Sequence, residues 1–510
     1  MTVKILFSDN LHFHERNFKS LFKLIAKEKY DVEFNEEHRD WMSLYGDYSS
    51  KFNSLQSYNK LLLSLSKEEL FEYDSRGVNV YDVAKAELLS FLIPTKELYK
   101  SDLSDDVCEV YNYIYDNFKN DLCLNMAAAL FWLDFWYNRI VINKKKYSHI
   151  FTFSGSNIYA KSLIRTCQST MSKIFVMETS LTGNDFYIEE KISHIANNSD
   201  VKLLAVQNKH LLSLSDDVCP QNTKVKAINK MVMTDNKNVA QPISDSNELC
   251  FGNGKQTVVI LGQVVNDYSV IETEFGFLST VKLYKKLISS ILENTSYNIV
   301  FKSHPWEEKK SNCDFDITYS EISDYVEELG HNSERVKVVK DFDINLLLSK
   351  SQHAILLNSQ SGLEAAFHGI KPIVIGKPFY GNYGFTNDCQ SVDDVVAVLN
   401  NTNGSLSLSE YDKFEEFITI YLEKHLYSVN PSGESKIKRE VFSKFPIIPL
   451  VSKKAPQKAE VVPIDKNAID SNESVVVEVK PVSSATQLKN GVVYLFTDFE
   501  KFKKKLKHKF

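Results

Sequence analysis

The chain has 510 residues, 43% of them hydrophobic and 25% charged, with a net charge of −6. This is the balance of a soluble globular protein long enough for two ordinary domains, and it argues against a general nucleic-acid binder. Its seven cysteines are scattered, with no C-x-x-C pair and no zinc spacing, which excludes a disulfide framework and reads as reduced thiols in a core.

In chain order, MTVKILFSDN reads as a first strand over 3–8 rather than a signal peptide, because no basic region precedes a long apolar run. Apolar residues recur at helical spacing over 61–70, 83–92 and 107–118. The more aromatic stretch 126–140 reads as a buried helix, too short and interrupted to span a bilayer. Strand and helix then alternate: a strand over 149–153, a helix over 160–171, and strands over 174–177 and 203–206. Such alternation predicts a parallel α/β fold. Residues 224–255 are polar and read as an interdomain connection. A second α/β region follows, with strands over 257–261, 297–302, 336–339, 354–357 and 372–375 and a closing helix over 411–427.

The expected organisation is an N-terminal Rossmann-like domain over 1–240 with a helical insertion, and a C-terminal Rossmann-like domain over 241–450. A flexible linker over 451–490 and a basic amphipathic tail over 491–510 complete it. Two doubly wound halves should face a central cleft, with ligands at the C-terminal ends of strands. The last residues, VVYLFTDFEKFKKKLKHKF, interleave Phe and Leu with a dense run of Lys. On a helix this suits an anionic membrane surface, and a solvated charge run is the plainer alternative.

Three segments carry the chemistry. In the first, a strand breaks into Asn358-Ser359-Gln360-Ser361-Gly362, and a helix opens at Leu363. A helix start there suits a phosphate, although Ser361 and Glu364 also have the spacing of a capping box, which needs no ligand. In the second, Lys302-Ser303-His304-Pro305-Trp306-Glu307, Pro305 turns the chain out of the sheet and leaves His304 at a strand end, where it can meet a phosphate oxygen. The third follows the first strand of this half. There Gln263 and Asp267 can bind nucleotide or sugar hydroxyls, and Asp267 can equally cap the next helix.

Taken together, these motifs resemble the bacterial capsule polysaccharide biosynthesis family, which includes the Kdo transferases of capsule lipid linkers. The matching residues are Gln263 and Asp267; His304 to Glu307; Asn358, Ser359, Gly362, Leu363, Glu364 and Ala365; Gly369, Lys371 and Pro372; and Pro378, Phe379, Tyr380, Gly384 and Thr386. The resemblance implies a GT-B fold and transfer of a Kdo-like acidic sugar from a CMP-sugar to a capsule or surface-glycan acceptor. The CMP-sugar would be a substrate, and no cofactor or metal is implied. The donor would be held by Gln263, Asp267, His304, Pro305, Asn358, Ser359, Ser361, Gly362 and Glu364, with His304, Ser359 and Ser361 at the phosphate and Glu364 at the ribose. Partners would be a glycan or glycolipid acceptor and an anionic membrane surface, with the protein cytoplasmic and peripheral to the inner membrane.

On the acceptor side, Phe175-Val176-Met177-Glu178 delivers a carboxylate to a strand end, so Glu178 is the expected general base or acid. The family's segment there begins with Glu and soon contains Gly; here Thr179 and Ser180 follow and Gly183 comes later. Asp185 and Glu189 are runners-up, with surface solvation the plainer reading. Ser154-Gly155-Ser156-Asn157 can bind acceptor hydroxyls or cap a helix. The rival classes are a metal-dependent or UDP/GDP-sugar transferase using Asp314-Phe-Asp316 or Asp341-Phe-Asp343, and a non-catalytic GT-B assembly or export protein.

Overall fold

The computed structural model describes residues 3–443, apart from 38, 42–43, 144–145, 192, 196–197, 216–219, 233–243, 245–248, 274–275, 306 and 308–314. The expected linker and basic tail lie outside the described residues, as does much of the expected interdomain connection.

The first sheet is built on β1 (Lys4–Phe7), β2 (Asp31–Phe34), β3 (His149–Phe153) and β4 (Lys173–Thr179), in the order β2-β1-β3-β4 and all parallel. Strands covered on both faces must be apolar on both, and Ile5 to Phe7, Ile150, Phe151 and Phe175 to Met177 are buried accordingly. Phe7, Phe151 and Phe175 stack across successive strands at 5.2 and 5.3 Å. β5 (Asp185–Glu190) then adds to β4 in the antiparallel sense.

Two expectations change here. The run at 203–206 is not a strand: Leu203 and Leu204 are exposed, and a helix Leu204–Ser215 begins there. A short apolar run carries no period that separates the two cases. Asp185 and Glu189, expected to be solvated, are buried in β5. Asp185 pairs with Lys230 at 2.6 Å, and Glu189 accepts the Ser199 hydroxyl at 2.5 Å and the Asp200 N–H at 2.8 Å. These are satisfied structural carboxylates.

The helical insertion is centred on Lys119–Trp136, which is buried along most of its length, as its composition predicted. Trp136 is fully buried and donates its indole N–H to the Tyr159 carbonyl at 2.9 Å. The expected helix at 61–70 is two helices, Phe52–Leu63 and Lys67–Phe71, because Ser66 and Glu69 form a capping box between them. No helix among the described residues is long and apolar enough to cross a membrane.

The second sheet holds β6 (Thr257–Leu261), β7 (Asn298–Lys302), β8 (Val336–Val339), β9 (His353–Leu356), β10 (Ile373–Val374) and β11 (Asn387–Asp388). All are parallel, in the order β8-β7-β6-β9-β10-β11. The order reverses between β6 and β9, the topological switch point where open α/β sheets bind ligands. The two doubly wound α/β halves expected of a GT-B arrangement are therefore present.

The expected closing helix forms over Leu408–Ile420, but the chain does not stop at this half. It continues through a turn into β12 (Leu426–Ser428), which pairs antiparallel with β5 in the first sheet. The following helix, Ser432–Ile437, packs on the helix Glu15–Glu28. Gly433 is required there, since a Cβ would lie 2.1 Å from the Ser428 carbonyl oxygen.

Candidate functional site

The loops after β6 and β9 meet at the switch point. Gln263 is buried; its carbonyl accepts the Asn358 N–H at 3.1 Å and its amide donates to the Ser269 hydroxyl at 3.0 Å. Asp267 caps the short helix Tyr268–Ile271, accepting the Ser269 N–H at 2.9 Å and its hydroxyl at 2.7 Å. The Asn358 amide donates to the Ser269 carbonyl at 2.7 Å and Thr273 Oγ1 at 2.9 Å, while its Oδ1 accepts the Lys377 N–H at 2.6 Å. Gln263 and Asn358 thus bond each other, Asp267 joins them through Ser269, and together they lock two strand-end loops.

The second loop is more open. Ser361 is the first residue of the helix Ser361–Phe367, with Gln360 before it as a cap that makes no side-chain bond, so the capping box read from Ser361 and Glu364 does not form. The Ser361 N–H donates to Ser359 Oγ at 3.2 Å, and those of Gly362 and Leu363 close turns onto the Ser359 and Gln360 carbonyls at 3.3 and 3.0 Å. Gly362 is needed for packing: a Cβ would lie 2.1 Å from the phenol oxygen of Tyr380, which is fully buried and donates to the Ser359 carbonyl at 2.5 Å.

Beneath this turn sits a cation that the sequence reading did not assign. Lys302 ends β7, is buried, and donates to the Lys340 carbonyl at 3.2 Å. Burial lowers its pKa, while Asp341, Glu364 and Asp343 oppose that by their charge. Glu364 is raised by burial, against a hydrogen bond from Ser361 and the Lys302 charge. Lys302 therefore stands close to Asp341, Asp343 and Glu364, the first two being the carboxylates that the Asp-x-Asp rival would use. Asp343 is itself the N-cap of Ile344–Ser349, accepting the Leu346 N–H at 2.7 Å; Asp314 lies outside the described residues. A lysine ending an apolar strand is ordinary in sequence, and only its burial marks it.

His304 and Pro305 occupy the turn after β7, both half-buried. The His304 carbonyl accepts the Glu307 N–H at 3.2 Å. Glu307 is fully buried and braces the turn: it accepts the Val265 N–H at 3.3 Å, the Thr318 N–H at 2.9 Å and the Thr318 hydroxyl. Burial pushes its carboxyl up to about 7.

Glu178 stands apart from these groups, at the end of β4 in the other sheet. Its Oε1 accepts the N–H of Thr179 at 3.0 Å and its hydroxyl at 3.4 Å. At the end of β3, Ser154 and Gly155 adopt left-handed backbone, with φ of 56° and 85°. For Ser154 this is strained, a kind of strain found at functional turns. Ser156 is buried, and its hydroxyl has no hydrogen-bond partner among the described residues.

The same edges of the two sheets face each other. Ser90 and Asn266 exchange hydrogen bonds at 3.1 and 3.0 Å. Glu272, from the second half, binds Lys161 at 2.5 Å and His194 at 2.8 Å, both from the first. Burial pushes against ionisation of Glu272, but His194 and Lys161 together hold its carboxyl below the usual range.

Residues 190–412 match the family described as capsule polysaccharide biosynthesis protein. Among solved structures, the Thermosulfurimonas dismutans KpsC beta Kdo 2,4 transferase is 17% identical, with a TM-score of 0.37 over 56% of this chain and 83% of that one. The beta Kdo 2,7 transferase of the same organism's KpsC is 16% identical, with a TM-score of 0.35 over 57% and 81%. UDP-GlcNAc 2-epimerase from Neisseria meningitidis, bound to UDP-GlcNAc, is 13% identical, with a TM-score of 0.28 over 86% and 99%. No curated protein matches the chain.

Proposed function

We propose, for a chain whose residues 190–412 match the capsule polysaccharide biosynthesis family, that it is a glycosyltransferase moving a Kdo-like acidic sugar from a CMP-sugar to a capsule or surface-glycan acceptor. One observation carries this reading: a buried lysine, Lys302, lies close to Glu364 of the Ser359–Glu364 turn and ends the strand that runs into the His304 turn, at the C-terminal edge of a doubly wound sheet. A nucleotide phosphate needs preorganised positive charge and donors at such an edge.

In this scheme Lys302, His304, Ser359 and Ser361 meet the nucleotide phosphate and stabilise the charge that builds as it leaves. Glu364 reaches the ribose. Gln263, Asp267 and Asn358 shape the pocket wall, and Gly362 admits the buried Tyr380 that holds the turn. The acceptor enters from the first sheet, where Glu178 is the carboxylate assigned from sequence. The scheme assigns no metal. Residues 491–510 would bring the protein to an anionic membrane, which vesicle sedimentation of the chain with and without residues after 451 tests directly.

Calorimetric titration with CMP, UDP and GDP in EDTA tests the donor assignment. Selective CMP binding is the expected result. Preference for UDP or GDP, or binding only after a divalent metal is restored, overturns it in favour of the Asp-x-Asp rival. The His304→Ala chain should bind acceptor and unfold like the parent while losing turnover about 100-fold or more.

A further inference from the structure

The end of β1 carries an acid–base pair that lies outside both the motif segments and the matched residues 190–412. Asp9 is fully buried, and its position is over-determined. Its Oδ1 accepts the N–H groups of Leu11 at 3.0 Å and His12 at 2.7 Å, and its Oδ2 accepts the Ser8 hydroxyl at 3.1 Å. The same Oδ2 lies 3.2 Å from His12 Nδ1. The imidazole is also stacked on Phe153, at the end of neighbouring β3, with centroids 4.2 Å apart and planes 3° apart. The carboxylate thus holds the His12 backbone and the Phe153 ring holds the imidazole, whose Nδ1 makes no hydrogen bond among the described residues; Nε2 lies on the opposite edge of the ring.

Three features mark this edge as a working surface. Asn10 Oδ1 and Ser156 Oγ are buried polar atoms without a hydrogen-bond partner among the described residues, the kind of loose end that a polyhydroxylated acceptor would satisfy. Ser154, beside them, holds the strained left-handed backbone. A chain of buried polar groups also leads from here to the donor half. Tyr159 lies within electrostatic reach of both Asp9 and Glu87, and Tyr268, next to Asp267, lies within reach of Glu87. Glu87 in turn accepts the Ile158 N–H at 2.7 Å, at the start of the helix that follows β3. Glu178, by contrast, bonds the N–H and hydroxyl of its own neighbour.

We propose that His12 is the general base that takes the proton of the acceptor hydroxyl, with Asp9 as its positioning residue. This rests on the glycosyl-transfer reading above. The acceptor oxygen bonds to the anomeric carbon as the bond from that carbon to the phosphate oxygen breaks. The electron pair leaves with the nucleotide, and the proton passes to His12 Nε2 and then to solvent. Water serves in place of the acceptor by the same route. Asp9 holds the His12 backbone and places a carboxylate oxygen 3.2 Å from Nδ1, facing the positive charge that forms on the ring. Among the described residues, the other ionisable groups facing this segment are His14 and Arg16 on the chain itself, Glu36 after β2, which accepts from the Asn10 amide at 3.4 Å, and Tyr159 on the helix that follows β3; Phe153 on β3 is uncharged.

The test uses the full chain with CMP-Kdo and water as acceptor, following CMP release above the enzyme-free rate across pH, with CMP affinity measured in parallel. His12→Asn should lose about 100-fold or more in turnover, the usual range for a general base, with CMP affinity unchanged. Asp9→Asn should lose about tenfold or more in turnover with CMP affinity and urea midpoint unchanged, and Asp9→Glu should recover part of that loss, a rescue that a purely structural role does not produce. Glu178→Gln should lose less than either. A His12→Asn chain within about threefold of the parent, or a larger loss in Glu178→Gln, overturns the assignment while leaving sugar transfer intact. If the parent chain neither binds CMP nor releases it from CMP-Kdo, the transfer reading falls and this assignment falls with it.

Discussion

Glu307 couples the stability of the second half to pH, and the sign follows from its burial. The carboxyl makes three hydrogen bonds from donors, to the Val265 N–H, the Thr318 N–H and the Thr318 hydroxyl, each of which favours its anion. Loss of water outweighs them and pushes it up to about 7 from the ordinary 4.5. Between those values the folded chain keeps a proton that the unfolded chain has released. The stability from this group is complete below pH 4.5 and is lost as pH rises towards 7. Integrated from about pH 5 to 7.5, the loss is about 2 kcal/mol. Glu307→Gln removes the titration. It also lowers stability at every pH by about 1–3 kcal/mol, because the amide must turn its NH2 towards one of the backbone donors. The diagnostic quantity is therefore the change with pH, read from urea unfolding of both chains at several pH values. The parent should lose about 2 kcal/mol more than the variant over that interval. Equal losses would mean that the buried carboxyl is ionised throughout and the reasoning from desolvation is wrong.

Gly362→Ala should cost about 1–3 kcal/mol, since its methyl would enter the space of the Tyr380 phenol; an unchanged melting temperature would show that Tyr380 swings aside freely. Glu272→Gln leaves Lys161 and His194 without their shared carboxylate and should cost about 3 kcal/mol, with faster proteolysis between the halves. Equal urea midpoints would remove that clamp from the account. Lys302→Met should weaken CMP binding about 10–100-fold, the range for a charged hydrogen bond, without lowering the melting temperature. Unchanged affinity by calorimetry would place the phosphate elsewhere.

The sequence by itself determined the inner strands of the second sheet, because a parallel strand covered on both faces must be a continuous apolar run, and 257–261 and 354–357 announce themselves that way. It also placed the motif loops at strand ends; the strand order, the switch point and the meeting of the two loops came with the tertiary structure. Only the tertiary structure decided what those loops do: Gln263 and Asn358 read as ligand contacts, yet they bond each other, since a side-chain amide suits either role equally. It alone paired Gly362 with Tyr380, buried Lys302 beneath the turn, and set Asp9 against His12. It also recruited β12 from the end of the chain onto β5, a pairing that no local period can signal. Hydrophobic runs are written locally and can be read locally. Burial of a charge, the partner of an amide and the far edge of a sheet are properties of residues distant in the chain, and they exist only once the chain has closed on itself.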